Sequence, residues 1–573
     1  MSKATKNSTT TPAAKSEKKQ QLPPVEKPPI WLYFAGFILA WIAFYPALQN
    51  GILSWDDTGY LNDQEVLLQS LNPIVFFKKF AVMGNYHPLT MYLYALIYQS
   101  AGLENAQTYH LINLLLHGVN VLLCIKVVHA LIDNKLVRIW VPLLFAIHPL
   151  KTESVVWISE TKDVLYTLFY FLALLQYIRF TKTANFKNYG LAFLFFLLSC
   201  FSKGMAVTFA AVLFAVDIWL DRKLELKTIL QKIPFLAISL LFGLIAYYAQ
   251  KQNAGFYTKA EAYSLLERGL VVSYSFSFYL IKMIVPYHLG ILYPYPKVGQ
   301  FGSEYYLSAV LLLSYVAAVF YFRKDKIVLG ALVFYFVCII PVTQLVPVGE
   351  SVAFDRYFYL SSFGLLILAC YGISKLALQQ LKLKENIVHS FFAVVVLLFT
   401  FVANARSKDW HDNLSLWGSM IETNPSFDKS YYAFGEYYQG IGDSTNAFKY
   451  YRDCLQRNPE NKKAHINIGN CYYNFSKNMD LAMQHYQLSL KADSSYYLAY
   501  LSIGNMLYMK QQLNEAERCY KKSIALDSTF SMTYYNLALV QLQMQKKAAA
   551  DSNLVHAAHL HYQPAVDLLA KPH

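Results

Sequence analysis

The chain has 573 residues, 55% hydrophobic and 16% aromatic, with a mean hydropathy of +0.28. Apolar segments recur up to about residue 405, which excludes a simple soluble domain and indicates a polytopic membrane protein with a further domain attached. The formal net charge of +14 does not indicate a nucleic-acid partner, because many Lys and Arg lie in short loops between apolar segments, where membrane orientation places them.

Residues 1–29 are Lys, Ser, Thr, Pro and Gln with almost nothing apolar, so a disordered cytoplasmic tail without a signal peptide is expected there. With this basic end inside, a first span over about 31–49 leads outward. It puts SWDDTGYLND, Ser54–Asp63, on the non-cytoplasmic face. An adjacent carboxylate pair, Asp56 and Asp57, at a membrane mouth is either a solvated loop or a site that repays its desolvation. The segment Pro88–Gly102 is rich in Tyr and too short to cross, which suits an interfacial helix. Residues 109–131 return inward and about 137–150 lead out again. HPLKTESVVWISETKD, His148–Asp163, therefore shares the face of Asp56.

Residues 164–180 return inward, 189–201 lead out to Lys203, 206–220 return to Arg222, Lys223, Lys227 and Lys232, and 234–251 exit. The segments 305–322, 328–345, 357–374 and 388–405 then thread with Arg323, Lys324, Lys375, Lys382 and Lys384 inside. That threading leaves 268–288 re-entrant or interfacial; a crossing there would invert everything after it. Of seven cysteines, Cys124, Cys200, Cys338 and Cys370 fall in apolar segments. Cys454, Cys471 and Cys519 fall near the C-terminus without metal-ligand spacing.

After Asn404 a period appears. Gly435, Gly469, Gly504 and Ala538 are 34, 35 and 34 apart, and Ala447, Ala482, Ala516 and Ala550 are 35, 34 and 34 apart. Tyr451, Tyr486 and Tyr520 each follow an alanine by four. Small residues where two helices cross, followed by an aromatic, at a period near 34 form the tetratricopeptide pattern. The expected plan is a tail over 1–29, a membrane domain over 30–405 with an outer loop at 50–107, a linker helix over 406–423, and repeats over 424–563. Such repeats stack around one core and present a concave groove suited to a peptide. Cys454 shares one small repeat position with Ser489 and Ser523 and is expected to pack.

The outer face collects Asp56, Asp57, His87, His148, Glu153, Lys162, Asp163, Lys203, Glu350, Asp355 and Arg356. Each has a plain alternative: His87-Pro88 and His148-Pro149 as helix breaks, Glu153 with Lys162 as a solvated face. Together, carboxylates able to take a hydroxyl proton and cations able to neutralise a phosphate leaving group fit an enzyme acting on a lipid-phosphate-linked substrate.

The acidic pair, then NYHPLTMYLY, YHLINLLLHGVN, LLFAIHPLKTESVVWISETKDVLYTLFYFLALL, CFSKGMAV and FDRYFYLSS, ending in tetratricopeptide repeats, resembles the transmembrane and tetratricopeptide repeat-containing proteins. Those are GT-C glycosyltransferases related to protein O-mannosyltransferases, and the resemblance runs from about residue 30 to near the end. It implies an all-α architecture, a polytopic GT-C helical bundle followed by a tetratricopeptide (TPR) α-solenoid. It also implies a polyprenyl- or dolichyl-phosphate sugar as co-substrate, carrying mannose or a similar hexose, and transfer to Ser or Thr hydroxyls of an acceptor protein or peptide on the non-cytoplasmic face.

In its terms Asp56 is the base of an inverting displacement and Asp57 orients it, or the two exchange roles. Lys162, Lys203 and Arg356 hold the phosphate, with His87, Asp163 and Glu153 in support, and no metal or other cofactor is assigned. KTES and ETKD replace the family's commoner HTEA and GRAD, so Lys162 keeps a single charge where the planar fork of an arginine is usual. The expected location is a bacterial cytoplasmic membrane with the repeats outside, or the endoplasmic reticulum membrane in a eukaryote. A glycolipid or envelope polymer as acceptor, and a non-enzymatic membrane-anchored repeat scaffold, are the competing readings. A transporter fits less well, because the ionisable groups gather at one face and the membrane part shows no duplication.

Overall fold

A computed structural model describes residues 27–252, 263–347, 349 and 351–570. The expectations for most of the 1–29 tail and for Glu350 lie outside these residues. The described chain is helical almost throughout. Its one sheet pairs two short antiparallel strands, Tyr293–Pro294 and Ser351–Ala353.

Seven described helices are long and apolar enough to cross a membrane: Ile30–Gln49, Ala106–Leu131, Ile158–Thr183, Leu226–Lys251, Ser303–Tyr321, Asp355–Gln380 and Glu385–Trp410. Shorter apolar helices occupy Phe186–Ser202, Gly204–Trp219 and Lys326–Val342. Polar residues start several of them. Asn105, Asn134 and Asn185 accept the backbone N–H of Thr108, Val137 and Lys187, satisfying donors that the first helical turn leaves open.

The outward segment expected near 137–150 is the helix Lys135–Ile147, 13 residues with Pro142 inside it. At 1.5 Å per residue it reaches only about 20 Å, and nearly all of it is buried within the protein. The segment expected to be re-entrant or interfacial is the 20-residue helix Leu265–Ile284, opened by a reciprocal Ser264–Glu267 cap. One flank is tied to the second strand and to Phe354 just past it. Ser275 donates to the carbonyl of Val352, and Tyr279 Oη donates to that of Phe354 at 2.9 Å. At its end the Met283 carbonyl meets His148 Nε2 at 3.0 Å. This helix therefore fastens to segments that border a cluster of buried charges around Glu153 and Arg356.

From Asp428 the chain runs as paired helices: Asp428–Gly440 with Ser444–Arg457, Lys462–Asn474 with Met479–Ala492, Tyr497–Met509 with Leu513–Leu526, and Ser531–Gln543 with Lys547–His559. Within each of the first three pairs the glycine faces the tyrosine of the second helix. A Cβ at Gly435, Gly469 or Gly504 would run into the ring of Tyr451, Tyr486 or Tyr520, so the small residue exists to admit the ring. Cys454, Ser489 and Ser523 are all buried, and Ser489 and Ser523 tie helices together by donating to the carbonyls of Lys462 and Tyr497.

Candidate functional site

The first apolar helix ends in a 3-10 turn, Tyr45–Gln49, and the chain then bends back over the bundle. Asp57, fully buried, opens the short helical turn Asp57–Tyr60. Its Oδ2 accepts the N–H of Leu53 at 3.0 Å, and its Oδ1 accepts the N–H of Ser159 at 2.9 Å together with the Ser159 hydroxyl. Burial pushes this carboxyl up to about 6 despite those bonds, which favour the ionised form. Asp56 is half-buried, and its carboxylate makes no hydrogen bond or ion pair among the described residues. Burial raises its pKa as well, while the charges of Lys162 and Arg356 pull it down. The two adjacent acids thus differ in kind: Asp57 is fastened to the bundle and Asp56 is open.

Around them the cations converge on a residue that the sequence did not single out. Glu160, 1% exposed, receives Lys162 Nζ at 3.1 Å, Lys203 Nζ at 3.2 Å and Arg356 Nε at 3.3 Å. Lys203 also pairs with Asp163 at 2.5 Å, and Arg356 pairs with Glu153 through its guanidinium and through its backbone N–H at 3.0 Å. Lys162 donates to the carbonyl of Ser159 at 2.7 Å and stands 4.8 Å above the Tyr60 ring. Ser159 thereby joins Lys162 to the fixed acid.

Burial alone would lower Lys203, but Asp163 and Glu160 carry it above its ordinary value. Glu153 is pushed up to about 7, by burial first and by the nearby Asp355 and Glu160 charges, with Arg356 opposing. The reading of Glu153 and Lys162 as a solvated face is corrected, since both are buried. Uncompensated burial of these charges would be prohibitive, so each is paired.

His87 is buried edge-on to Tyr60, with ring centroids 5.3 Å apart and no hydrogen-bond partner at either nitrogen. Burial first, and the charges of Lys162 and Lys203 against that of Glu160, depress it to about 3, which keeps it neutral. His148 is spent on structure, capping the turn after it through the Leu150 N–H and meeting the Met283 carbonyl with its other nitrogen. Asp355 pairs with Arg406 at 2.7 Å rather than with its neighbour Arg356.

The linker also enters the site. Asn413 Oδ1 accepts from the N–H and hydroxyl of Ser54 at 2.8 and 2.9 Å, and the His411 carbonyl accepts the Gly51 N–H at 2.8 Å. Trp55 packs 5.3 Å from Trp157 and 5.5 Å from Trp417, Trp157 lies 5.0 Å from Trp410, and the Arg356 guanidinium sits 5.7 Å over Trp157. Every described residue singled out as catalytic or substrate-binding therefore lies in or against one cluster. Glu160, Ser159, Asn413 and Arg406 were missed. Glu160 stands beside Asp163 as one of two acids within WISETKD, a signal that was present. Asn413 gave none, because only folding brings it to Ser54. Among the described residues no group of three or more His, Cys, Asp or Glu is arranged to hold a metal ion.

Comparison with known proteins returns two family models, "Tetratricopeptide repeat" over residues 428–461 and "TPR repeat" over 504–545. The human protein O-mannosyl-transferase TMTC3 is 22% identical, covering 83% of this chain and 57% of the relative. Mouse TMTC4, likewise named a protein O-mannosyl-transferase, is 23% identical over 74% of this chain and 66% of the relative. Mouse TMTC2 reaches 33% over 27% of this chain. The chain thus spans a little over half the length of the human relative, and the family it resembles by its motifs is the one these relatives represent. Among solved structures, MamA is 16% identical with a TM-score of 0.23, covering 26% of this chain and 88% of that protein.

Proposed function

We propose that this chain, similar over most of its length to proteins named protein O-mannosyl-transferases, moves mannose or a similar hexose from a polyprenyl- or dolichyl-phosphate donor to Ser or Thr hydroxyls of a protein. The transfer takes place on the non-cytoplasmic face of the membrane, in a bundle of GT-C type. The observation that carries this reading is the contrast between Asp56 and every other acid of the cluster. Asp57, Glu153, Glu160 and Asp163 are all bonded within the protein, whereas Asp56 keeps its carboxylate open beside Lys162 and Arg356.

In the proposed reaction the acceptor hydroxyl oxygen forms a bond to the anomeric carbon and its proton passes to Asp56. The bond from that carbon to the phosphate oxygen breaks on the opposite side, its electron pair leaves with the lipid phosphate, and the sugar configuration inverts. Lys162, Lys203 and Arg356 face the phosphate with Glu160 behind them as a shared counter-ion. Their charge is thereby held in place beforehand instead of being reorganised as the reaction proceeds. Asp57, fixed by Leu53 and Ser159, sets the backbone that aims Asp56. His87, neutral and with both ring nitrogens unpartnered, supplies one N–H donor and one acceptor for the substrate.

The test is direct. Purified chain in detergent is given prenyl-phosphate-linked mannose and a Ser/Thr peptide, and the peptide mass is measured. A hexose increment that vanishes in Asp56→Asn supports the reading, and no increment with any lipid-phosphate hexose refutes it.

A further inference from the structure

Away from the acid cluster, two histidines of the repeats face each other. His465 lies in the first turn of the helix Lys462–Asn474 and His485 in the middle of Met479–Ala492, the two helices of the second pair. Their Nδ1 atoms stand 3.2 Å apart and their ring centroids 5.5 Å apart. His465 is buried, and its Nε2 meets the carbonyl of Pro459 at 3.0 Å. A carbonyl only accepts, so Nε2 carries the ring proton and Nδ1 turns a lone pair toward His485. His485 is half-buried, and the Tyr472 ring stacks on it with centroids 5.5 Å apart.

Ligating histidines are arranged in this way: one ring nitrogen donates to a carbonyl, which fixes tautomer and orientation, and the other is left for the metal. With metal–nitrogen bonds of about 2.05 Å, two nitrogens on a tetrahedral ion stand about 3.3 Å apart, close to the separation of this pair. Burial depresses both imidazoles, His485 to about 4 with His465 and Arg452 adding to the effect. Both are therefore neutral near pH 7, the form that binds metal. Beside His485 opens a cavity of about 310 Å³, lined also by Arg452, Gln456 and Tyr472, with ample room for several waters. Among the described residues no third His, Cys, Asp or Glu completes a metal-holding group with the pair, so the remaining coordination positions fall to that cavity. The charge of Arg452 favours an anionic donor there. An N–H···N hydrogen bond would hold the rings at a similar distance, and metal titration separates the two.

We infer that His465 and His485 form a two-histidine site for a divalent ion of the zinc, nickel or copper type, open on its cavity side to water or an anionic ligand. Imidazole suits these ions, whereas magnesium and calcium take oxygen ligands. On binding, His485 keeps its ring proton on Nε2, both Nδ1 atoms coordinate the ion, and the ion ties together the two helices of the second pair. The site is separate from the acid cluster and independent of the transferase reading.

The experiment titrates Zn²⁺ by calorimetry into the untagged, chelator-stripped full chain in detergent, and follows Co²⁺ in the same site by its visible absorption. A single equivalent of Zn²⁺ should bind, Mg²⁺ should not compete for it, and the thermal midpoint should rise as Zn²⁺ is added, because the ion binds the folded repeats. His465→Ala and His485→Ala should each abolish that equivalent. His485→Cys should keep it and add a thiolate-to-cobalt charge-transfer band that the unaltered chain lacks, a gain that misfolding cannot mimic. His556→Ala with His559→Ala, on the helix Lys547–His559, should leave the equivalent in place. No Zn²⁺ binding by the unaltered chain would reduce the pair to a hydrogen bond and overturn the inference. So would an equivalent that survives His485→Ala, one that disappears with His556 and His559, or a His485→Cys chain without the new band.

Discussion

Asn413 and Ser54 lie 359 positions apart in the chain, yet one side-chain oxygen of Asn413 accepts both the backbone N–H and the hydroxyl of Ser54. Ser54 stands two residues before Asp56, so the linker of the repeat domain helps hold the acid loop. Asn413→Ala would free that loop without touching the cations. Loss of the bonds should cost about 1–3 kcal/mol of loop order, read as a fall in kcat of tenfold or more with the donor KM unchanged. Asn413→Asp keeps the acceptor oxygen and should restore most of the rate. A variant that changes donor KM alone, or that Asp does not rescue, would remove Asn413 from this positioning role.

Arg356 serves two partners, Glu153 and Glu160, and in the proposed reaction it serves the phosphate as well. Arg356→Ala should therefore raise donor KM and also lower the thermal midpoint in detergent. Breaking a buried pair from one side costs about 3 kcal/mol. Adding Glu153→Gln removes the stranded acid, so the double variant should recover stability but not donor affinity. Recovery of donor KM in the double variant would make Arg356 a purely structural partner of Glu153.

The pH profile follows from the signs of the shifts. Asp56 acts only when ionised, and burial holds its pKa above the ordinary value while Lys162 opposes that rise. The rate should fall as pH drops through this raised pKa. Lys162→Gln removes an opposing charge, raises the pKa further, and should move the acid limb of kcat/KM to higher pH. On the other side, a donor phosphate arriving near Glu153, pushed up to about 7, and Asp57, up to about 6, raises both further and so takes up protons as it binds. Donor affinity should decline as pH rises through about 7, giving a bell-shaped profile. An acid limb that stays fixed in Lys162→Gln would contradict the assignment.

Period and polarity made the repeats legible. Gly469 and Tyr486 announce themselves by spacing because every repeat must solve the same packing problem, a ring against a helix backbone. Apolar length made most of the membrane helices legible too, and the 13-residue helix Lys135–Ile147 is largely buried among other helices, a setting that local hydrophobicity does not distinguish from lipid. At the site, charged groups in outer loops stood out as chemically expensive. What stayed hidden was their pairing. Arg356 chose Glu153 and left Asp355 to Arg406, a choice made by tertiary contact across about 200 and 50 residues and invisible to any local pattern. Glu160 was passed over because one more acid in a polar loop carries no mark of being the point on which three cations converge.

The central claim is that Asp56 is the base and Asp57 its support, and turnover of the two asparagine variants tests it most directly. Asp56→Asn keeps the shape and removes the proton acceptor, so kcat should fall by about 10² to 10⁴ while lipid-donor binding persists. Asp57→Asn loses its accepting pattern toward Leu53 and Ser159 and should show a smaller loss, accompanied by reduced stability. Full activity in Asp56→Asn, whatever Asp57→Asn does, would contradict the account.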